Sequence, residues 1–185
     1  MNSSKYLVLI LVAISLVFIY RRNQEKQSIL VYGNESARIA IVNYTSFQCP
    51  PCKIFHEKFG DLLQKYISSG DVKLIIKPVD LTKFKYDDII YTHLTDEFVK
   101  DYNQLKSIYE SQLIWRDFEE KNEVISYLNL DENVNPQLLK DLRKNTKEKN
   151  RLKLQGVPTT FLNNEQLPID ITVEEFESRI EELIK

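Results

Sequence analysis

The chain has 185 residues, of which 43% are hydrophobic and 28% are charged, an ordinary balance for a globular protein with a sizeable core. Its formal charge is −2 and its basic residues form no cluster, which argues against nucleic acid as a partner. The chain contains two cysteines, Cys49 and Cys52, and no internal repeat or low-complexity tract.

An apolar run over residues 6–20 lies between Lys5 on one side and Arg21 and Arg22 on the other. As a helix this run would rise about 22 Å, which is less than the roughly 30 Å hydrocarbon core and fits a signal peptide or a short anchor. No small-residue cleavage site follows it, so we expect residues 1–22 to be an uncleaved signal anchor rather than a removed signal. Residues 23–28 are predicted to be a polar linker.

Two strands are predicted before the cysteines. Residues 29–32 and residues 38–44 are apolar and rich in β-branched side chains, and a turn over residues 33–36 separates them. After the cysteines the apolar spacing becomes three and four, which predicts a helix that ends at Gly70 in the position of a left-handed C-cap. Residues 72–76 then form another buried strand before Pro78, so a right-handed βαβ unit is predicted.

Cys49 and Cys52 are therefore expected on a strand-to-helix turn. Pro50 is compatible with the first helical turn, where its missing N–H has no intrahelical partner. A thiol at a helix N-terminus faces free amide donors and the positive end of the helix dipole, which lowers its pKa. We therefore predict that Cys49 is an exposed nucleophile and that Cys52, one turn further on, resolves mixed disulfides formed on Cys49.

Two other interpretations of the cysteines remain open at this stage. A structural disulfide is one, although closing so short a loop removes unfolded-state entropy worth only about 2 kcal/mol. A copper or zinc site is the other, with His56 on the same helical face as a third ligand to Cys49 and Cys52. No second cysteine pair completes such a site, so we predict no metal and expect His56 to be a partly exposed helix residue.

Helical patterns replace strand patterns from about residue 82 to residue 148. One long amphipathic helix is predicted through apolar positions 90–109, and one or two more over residues 113–130. Asn135 followed by Pro136 predicts the N-terminus of a further helix. We expect the aromatic side chains of this region to lie in the core, and a substrate-binding surface is the second interpretation. These residues are Tyr86, Tyr91, Tyr102, Tyr109 and Trp115.

The C-terminal part of the chain is predicted to return to β structure. Residues 156–162 read as a strand, Asn163 and Asn164 as a tight hairpin turn, and residues 167–169 as a second short strand. Thr172 with Glu175 forms a capping-box pattern, which predicts a last helix.

Taken together, these motifs resemble those of a known protein family. The residues that carry the resemblance are Gly33 followed by Ala37, residues 41–55 around the cysteines, residues 77–80 and residues 156–161. They look like a membrane-anchored DsbA-type thiol:disulfide oxidoreductase of the thioredoxin superfamily. A C-x-x-C motif alone is only moderately specific, but a Gly-Val-Pro-Thr strand about a hundred residues later makes the resemblance strong.

The resemblance implies an α/β thioredoxin fold over residues 29–185. An all-helical insertion, at about residues 82–148, would lie between the βαβ unit and a C-terminal β-hairpin and helix. The implied site comprises catalytic Cys49 and Cys52, the active-site dipeptide Pro50 and Pro51, and substrate-binding Val157, Pro158 and Thr159. In the family the corresponding Val-Pro bond is cis and lies against the cysteines. Valine before this proline resembles the pattern of the oxidases in the family.

Two positions depart from the family pattern. Members usually bury an acidic residue six positions before the first cysteine, where this chain has Asn43, which cannot carry a proton to or from Cys52. Lys77, at the end of the next strand, is the candidate neighbour for proton transfer. The second departure is Pro51, where the best-known oxidases have histidine.

The function that the resemblance implies is donation of a disulfide to reduced secreted or envelope proteins. A DsbB-like membrane oxidase would recharge the pair, no cofactor is implied, and the domain would lie on the extracytoplasmic (periplasmic) side of a bacterial cell membrane. The opposite electron flow, in a membrane-tethered reductase for a dedicated client such as cytochrome maturation, remains an alternative. The sequence does not give the direction of electron flow. A Cu/Zn-binding protein that uses Cys49, Cys52 and His56 is a further alternative, from another functional class.

Overall fold

The computed structural model describes residues 29–185 of the chain. The predicted anchor over residues 1–22 and the linker over residues 23–28 lie outside the described residues. Within residues 29–185, no helix has both the length and the apolar character needed to cross a membrane.

A five-stranded mixed sheet in the order β1-β3-β2-β4-β5 forms the centre of the fold. Strand β3 pairs antiparallel with β1 and parallel with β2, while β4 pairs antiparallel with both β2 and β5. The strands are β1 (Leu30–Gly33), β2 (Ile39–Thr45), β3 (Val72–Pro78), β4 (Thr159–Leu162) and β5 (Glu165–Gln166).

Helix α1 (Pro50–Ser69) connects the parallel strands β2 and β3, as the sequence predicts. It buries the apolar positions of its periodic pattern against the sheet and ends at Gly70, which has φ 83° and caps the helix through its N–H to the Ile67 carbonyl. Because parallel strands place their carboxyl ends at one edge, the turn from β2 into α1 carries the cysteines to that edge of the sheet.

Six helices lie between β3 and β4. The sequence predicts that this segment begins with one long helix. That prediction is wrong, because the apolar positions 90–109 belong to three short helices rather than one. Asp101 ends the second of these and caps the third by accepting a hydrogen bond from the Asn103 N–H. The six helices are α2 (Asp87–Thr92), α3 (Asp96–Lys100), α4 (Tyr102–Glu110), α5 (Gln112–Trp115), α6 (Lys121–Tyr127) and α7 (Pro136–Arg151).

The aromatic residues of this insertion are core residues, as predicted. The side chains of Tyr86, Tyr91, Tyr102, Tyr109 and Trp115 are at most 2% exposed and belong to the main hydrophobic cluster. Helix α4 packs on α1, and α7 packs on α2 and β3. The insertion therefore forms one core with the sheet and covers the turn that carries the cysteines.

The C-terminal hairpin differs from the prediction in two details, the first of which is that β4 begins at Thr159 rather than at residue 156. Asn163 and Asn164 have φ values of 45° and 75° and form the predicted two-residue turn. This turn pairs Leu162 directly with Glu165, so the second strand is β5 at residues 165–166 and not at residues 167–169. Pro168 lacks an N–H and cannot continue the ladder. Helix α8 (Val173–Ile184) follows with the predicted capping box between Thr172 and Glu175.

Candidate active site

Cys49 and Cys52 lie at the N-terminus of α1. Cys49 is the N-cap residue with an extended backbone (φ −77°, ψ 117°), and Pro50 and Pro51 occupy the first two helical positions. The N–H of Cys52 donates to the Cys49 carbonyl at 3.0 Å, which closes the first turn. Both cysteines are free thiols in this structure.

The two sulfurs are less accessible than the sequence suggests. The side chain of Cys49 is only 5% exposed and that of Cys52 is fully buried, so the expectation of an exposed Cys49 needs correction. The insertion and the segment before β4 cover the helix end, while Pro50 and Pro51 remain exposed beside it. Cys49 is therefore mostly covered, with only a small part of it open to solvent.

The pKa of the Cys49 thiol is lowered to about 6. The main cause is a hydrogen bond from the Cys52 thiol to the Cys49 sulfur, and the Cys52 backbone N–H and the charge of Lys83 add to it against the effect of burial. Because the thiolate is the reactive form, Cys49 is largely activated at neutral pH.

The pKa of Cys52 moves the other way and is raised well above its ordinary value. Burial is the main cause, and hydrogen bonding to Cys49 and the Cys49 charge raise it further. The Thr45 hydroxyl and the Ser46 backbone N–H partly oppose this shift by donating to the Cys52 sulfur. The pair thus holds one reactive thiolate and one protonated thiol.

The peptide bond between Val157 and Pro158 is cis. The Cys49 sulfur lies 3.5 Å from the Val157 carbonyl oxygen, to which it donates a hydrogen bond only while it is protonated, so this turn lies directly against the reactive sulfur. Thr159 begins β4, and its hydroxyl donates to the Gly156 carbonyl at 2.8 Å, which closes the turn. The structure therefore brings the predicted substrate-binding residues to the predicted redox pair.

An apolar groove of about 300 Å³ runs beside this turn. Phe55 and Phe59 of α1 form one wall, and the segment that leads into β4 forms another. Ile169, at 85% exposure, lies at its rim. An apolar groove next to a reactive thiolate suits an extended polypeptide with an apolar side chain near its cysteine.

A family model described as Thioredoxin matches residues 25–182 of the chain. The chain belongs to the thioredoxin family. No curated protein matches the sequence.

Solved structures with the same fold extend this assignment. A conserved protein of unknown function from Enterococcus faecalis V583 is 22% identical, with a TM-score of 0.69 over 85% of this chain and 91% of that one. The catalytic domain of Proteus mirabilis ScsC is 21% identical, with a TM-score of 0.65 over 86% and 91%. Wolbachia pipientis alpha-DsbA1 is 17% identical, with a TM-score of 0.68 over 84% and 90%.

These neighbours confirm the predicted thioredoxin fold with its helical insertion and the resemblance to DsbA-type proteins. Each aligns with most of its own length, so the insertion is part of the shared architecture. A C-x-x-C pair near a βαβ unit is typical of a thioredoxin-like redox motif, and in this chain the pair lies where β2 meets α1.

The two predicted proton-transfer neighbours of this thioredoxin-family protein have other partners. The Asn43 amide is fully buried and donates to the Thr160 hydroxyl at 2.9 Å. Lys77 forms an ion pair with Glu148 and lies over the ring of Tyr44. The described contacts of Cys52 are with Cys49, Thr45 and Ser46, so a role for either residue in proton transfer stays a prediction.

A polar cluster that the sequence pattern does not indicate lies behind the cysteines. Asp87 of α2 accepts hydrogen bonds from the Ser46 hydroxyl at 2.6 Å and from the Gln48 N–H at 3.0 Å. Gln112 of α5 donates to the carbonyls of Phe47 at 2.5 Å and Cys49 at 3.2 Å. Two helices of the insertion therefore hold the turn that precedes the redox pair.

His56 is fully buried, which corrects the expectation of a partly exposed residue. Its ring stacks on Tyr109 at 3.9 Å between centroids, and its Nδ1 lies 3.1 Å from the Tyr102 hydroxyl. Burial lowers its pKa to about 3, so the ring is neutral. Among residues 29–185 no three His, Cys, Asp or Glu side chains are arranged to hold a metal ion.

Proposed function

We propose that the chain is a thiol:disulfide oxidoreductase that donates a disulfide from Cys49–Cys52 to secreted or envelope proteins. One observation carries the proposal: the thiol at the helix end has a lowered pKa, and its partner one turn away is buried with a raised pKa. This inequality is what an exchange centre needs, whereas a structural disulfide requires no reactive thiolate. Membership of the thioredoxin family supports thiol–disulfide exchange in general.

The proposed reaction begins with the oxidised pair. A client thiolate attacks the Cys49 sulfur, a bond forms between the client and Cys49, and the Cys49–Cys52 bond breaks with its electron pair on Cys52. Because the pKa of Cys52 is high, its sulfur then takes up a proton from water. A second client thiolate attacks the client's own sulfur, and Cys49 leaves as the stabilised thiolate. The client is oxidised by two electrons and the pair is reduced.

The turn at Val157, Pro158 and Thr159 supplies the binding surface in this proposal. The Val157 carbonyl lies beside Cys49, and an extended client segment that pairs with this backbone brings its cysteine to the reactive sulfur. The adjoining groove accepts an apolar client side chain against Phe55 and Phe59.

The partners and the location belong to the same proposal. Residues 1–22 anchor the chain in a bacterial cell membrane with the catalytic domain on the extracytoplasmic side, and a DsbB-like membrane oxidase recharges the pair. Treatment of intact cells with a membrane-impermeant thiol reagent tests the topology. We expect Cys49 to be labelled and the protein to remain with the membranes, whereas protection of Cys49 would place the domain inside.

Trapping of clients tests the exchange chemistry. We expect Cys52→Ser to accumulate mixed disulfides with envelope proteins, since the Cys49 thiolate attacks a client disulfide, expels one client thiolate and then meets no resolving thiol. Cys49→Ser is the matched control and should accumulate none. Equal trapping by the two variants, or trapping by neither, would contradict the assigned roles.

A further inference from the structure

Helix α7 presents a row of basic side chains to solvent, here called the basic stripe. Its members recur at spacings of three and four: Lys140, Arg143, Lys144, Lys147 and Arg151. In an α-helix these positions fall within an arc of about 100° and extend along about 16 Å of the axis. Lys144 is half-buried and the other four are exposed. The expectation that the basic residues form no cluster is therefore corrected, because these five share a face only once the segment is helical.

The two acidic residues of α7 point away from the basic stripe. Asp141 is buried and accepts a hydrogen bond from the Tyr91 hydroxyl at 2.5 Å. Glu148 forms an ion pair with Lys77 of β3, and its contact with Arg151 is longer, at 3.9 Å. Both acids are thus engaged with the core side of the helix and leave most of the positive charge of the stripe uncompensated.

The rest of the described surface is acidic. Residues 29–185 carry 21 basic and 26 acidic side chains, a net charge of −5. Residues 136–153 alone carry seven basic and two acidic side chains, so the remainder of the described chain has a net charge of −10. No acid among the described residues forms an ion pair with Lys140, Arg143 or Lys147. One helix therefore concentrates positive potential on a negative domain, and such a surface attracts anions.

The described chain begins beside this same helix. The N–H of Ile29 donates to the Asp141 carboxylate at 3.4 Å, and Asp141 is adjacent in sequence to Lys140 of the basic stripe. The predicted linker over residues 23–28 has six residues, which span at most about 22 Å when extended. If residues 1–22 lie in a membrane, the linker keeps Ile29, and with it α7, within about this distance of the membrane surface.

We propose that the basic stripe of α7 binds the anionic phosphate headgroups of the membrane that holds residues 1–22. The inference rests on the membrane anchor in the function proposed above. Each basic side chain near an anionic lipid surface strengthens binding about fivefold. The short linker adds a high effective concentration, because binding of the domain to its own membrane is intramolecular. The stripe therefore needs no inserted apolar side chain to hold the domain against the headgroups.

Binding through α7 would also orient the redox pair. The chain runs from Arg151, at the end of the basic stripe, to Val157 of the cis-proline turn in six residues. The Val157 carbonyl oxygen lies 3.5 Å from the Cys49 sulfur, so this sulfur lies within about 25 Å of the end of the stripe. With α7 on the headgroups, Cys49 is held near the membrane surface, where a membrane oxidase can reach it.

Lysine modification of the full chain in vesicles tests the proposal. The chain is reconstituted in phosphatidylcholine alone and in equal parts of phosphatidylcholine and phosphatidylglycerol. A membrane-impermeant amine reagent then modifies the outward-facing domains, and mass spectrometry gives the rate at each lysine. We expect Lys140 and Lys147 to react about fivefold more slowly in the anionic vesicles. Lys100, which is exposed on α3, should react equally in both.

Salt and the comparison of rates give the outcomes that decide. At about 1 M salt the Debye length falls to about 3 Å, so the protection of Lys140 and Lys147 should disappear. Equal rates for these two lysines in the two kinds of vesicle at low salt overturn the proposal. If the equal rates are slow, a second copy of the chain rather than a headgroup covers the stripe.

A pair of double variants gives the matched control. Lys140→Gln with Arg143→Gln should weaken headgroup binding about 25-fold, so Lys147 should regain its rate in phosphatidylcholine. Lys65→Gln with Lys185→Gln removes two exposed charges from other elements and should leave Lys147 protected. Protection that survives in the first variant overturns the proposal.

Retention of the chain in the vesicles after alkaline extraction reports the anchor separately. Loss of the chain contradicts the anchor, and this inference with it. A retained chain with an unprotected stripe contradicts the inference alone.

Discussion

Cys49 owes most of its lowered pKa to the Cys52 thiol, which donates a hydrogen bond to its sulfur. This origin differs from the sequence-based expectation, in which the free amides of the helix end dominate. The backbone N–H of Cys52 does contribute, but in second place among the effects that lower the pKa. At the residue scale, then, the two cysteines are one unit whose members set each other's chemistry.

The first prediction concerns this hydrogen bond. Cys52→Ala removes the donor and should raise the pKa of Cys49 by about one to two units, since a hydrogen bond to a charged group is worth roughly 1.5–3 kcal/mol. Cys52→Ser keeps a hydroxyl donor and should give a smaller shift. The pH dependence of alkylation of Cys49 measures both values. The account of Cys49 is wrong if the two variants give the same pKa.

A second prediction concerns Pro51, which contributes no N–H to the helix end. Pro51→His should lower the pKa of Cys49 and raise the reduction potential by some tens of millivolts, because about 1.4 kcal/mol corresponds to about 30 mV for this couple. Pro51→Ala separates the effects, since it restores the N–H without an imidazole. Thiolate titration and equilibration with glutathione give the two quantities. No change in either variant would show that the missing N–H does not face the Cys49 sulfur.

Burial of Asp87 predicts a pH-dependent stability. Its folded pKa of about 7 lies above the ordinary 3.8, so its favourable contribution is complete below pH 3.8 and is lost as the pH rises through about 7. Relative to wild type, Asp87→Asn should therefore gain about 2–4 kcal/mol of unfolding free energy between acidic and mildly alkaline pH. Urea unfolding across this range measures the gain. Asp88→Asn should show no such trend, and a flat difference for Asp87→Asn would refute the raised pKa.

The site was predictable from sequence where its parts are local. Cys49, Pro50 and Cys52 are adjacent in the chain, and the change from strand to helix spacing places them. Asp87 was not predictable, because it comes from the insertion and reaches the turn only through tertiary packing. The carbonyl of Val157 was expected at the site only because of the family resemblance, since more than a hundred residues separate it from Cys49.

At the scale of elements, hydrophobic periodicity gave the type of each segment more reliably than its length. Positions 90–109 keep helical spacing across three helices, because each short helix turns its apolar face to the same core. The breaks come at His93 and Asp101, which end α2 and α3. Only Asp101 carries a recognisable local pattern, since its side chain accepts from the N–H two residues later. A pattern of apolar positions alone does not contain these breaks.

Gly33, at the end of β1, and Gly70, after α1, differ in how closely the backbone around them is packed. Both Gly33 and Gly70 have positive φ, but a Cβ on Gly33 would lie 2.4 Å from the Val72 carbonyl oxygen, while a Cβ on Gly70 would meet nothing within 4 Å. Gly70→Ala should cost about 1–2 kcal/mol for the left-handed conformation. Gly33→Ala should cost about 1–3 kcal/mol more, because backbone must move. Denaturant unfolding measures both, and equal losses would show that the end of β1 can shift freely.

At the scale of the whole molecule, the insertion and the sheet make a single core with the redox pair at its edge. Helices α2 and α5 reach the turn before Cys49 through Asp87 and Gln112, and α1 carries both cysteines. The environment of the pair is therefore a property of the assembled domain rather than of the C-x-x-C motif.

The reduction potential of the Cys49–Cys52 pair tests the central claim most directly. A Cys49 pKa of about 6 lies between those of thioredoxin, about 7, and DsbA, about 3.5, so the potential should lie between their values of about −270 mV and about −120 mV. Equilibration of the purified domain with glutathione buffers, followed by separation of the two redox forms, gives the value. A potential more oxidising than that of thioredoxin is the result we predict for a disulfide donor. A potential at or below about −270 mV would contradict it and indicate a reductase.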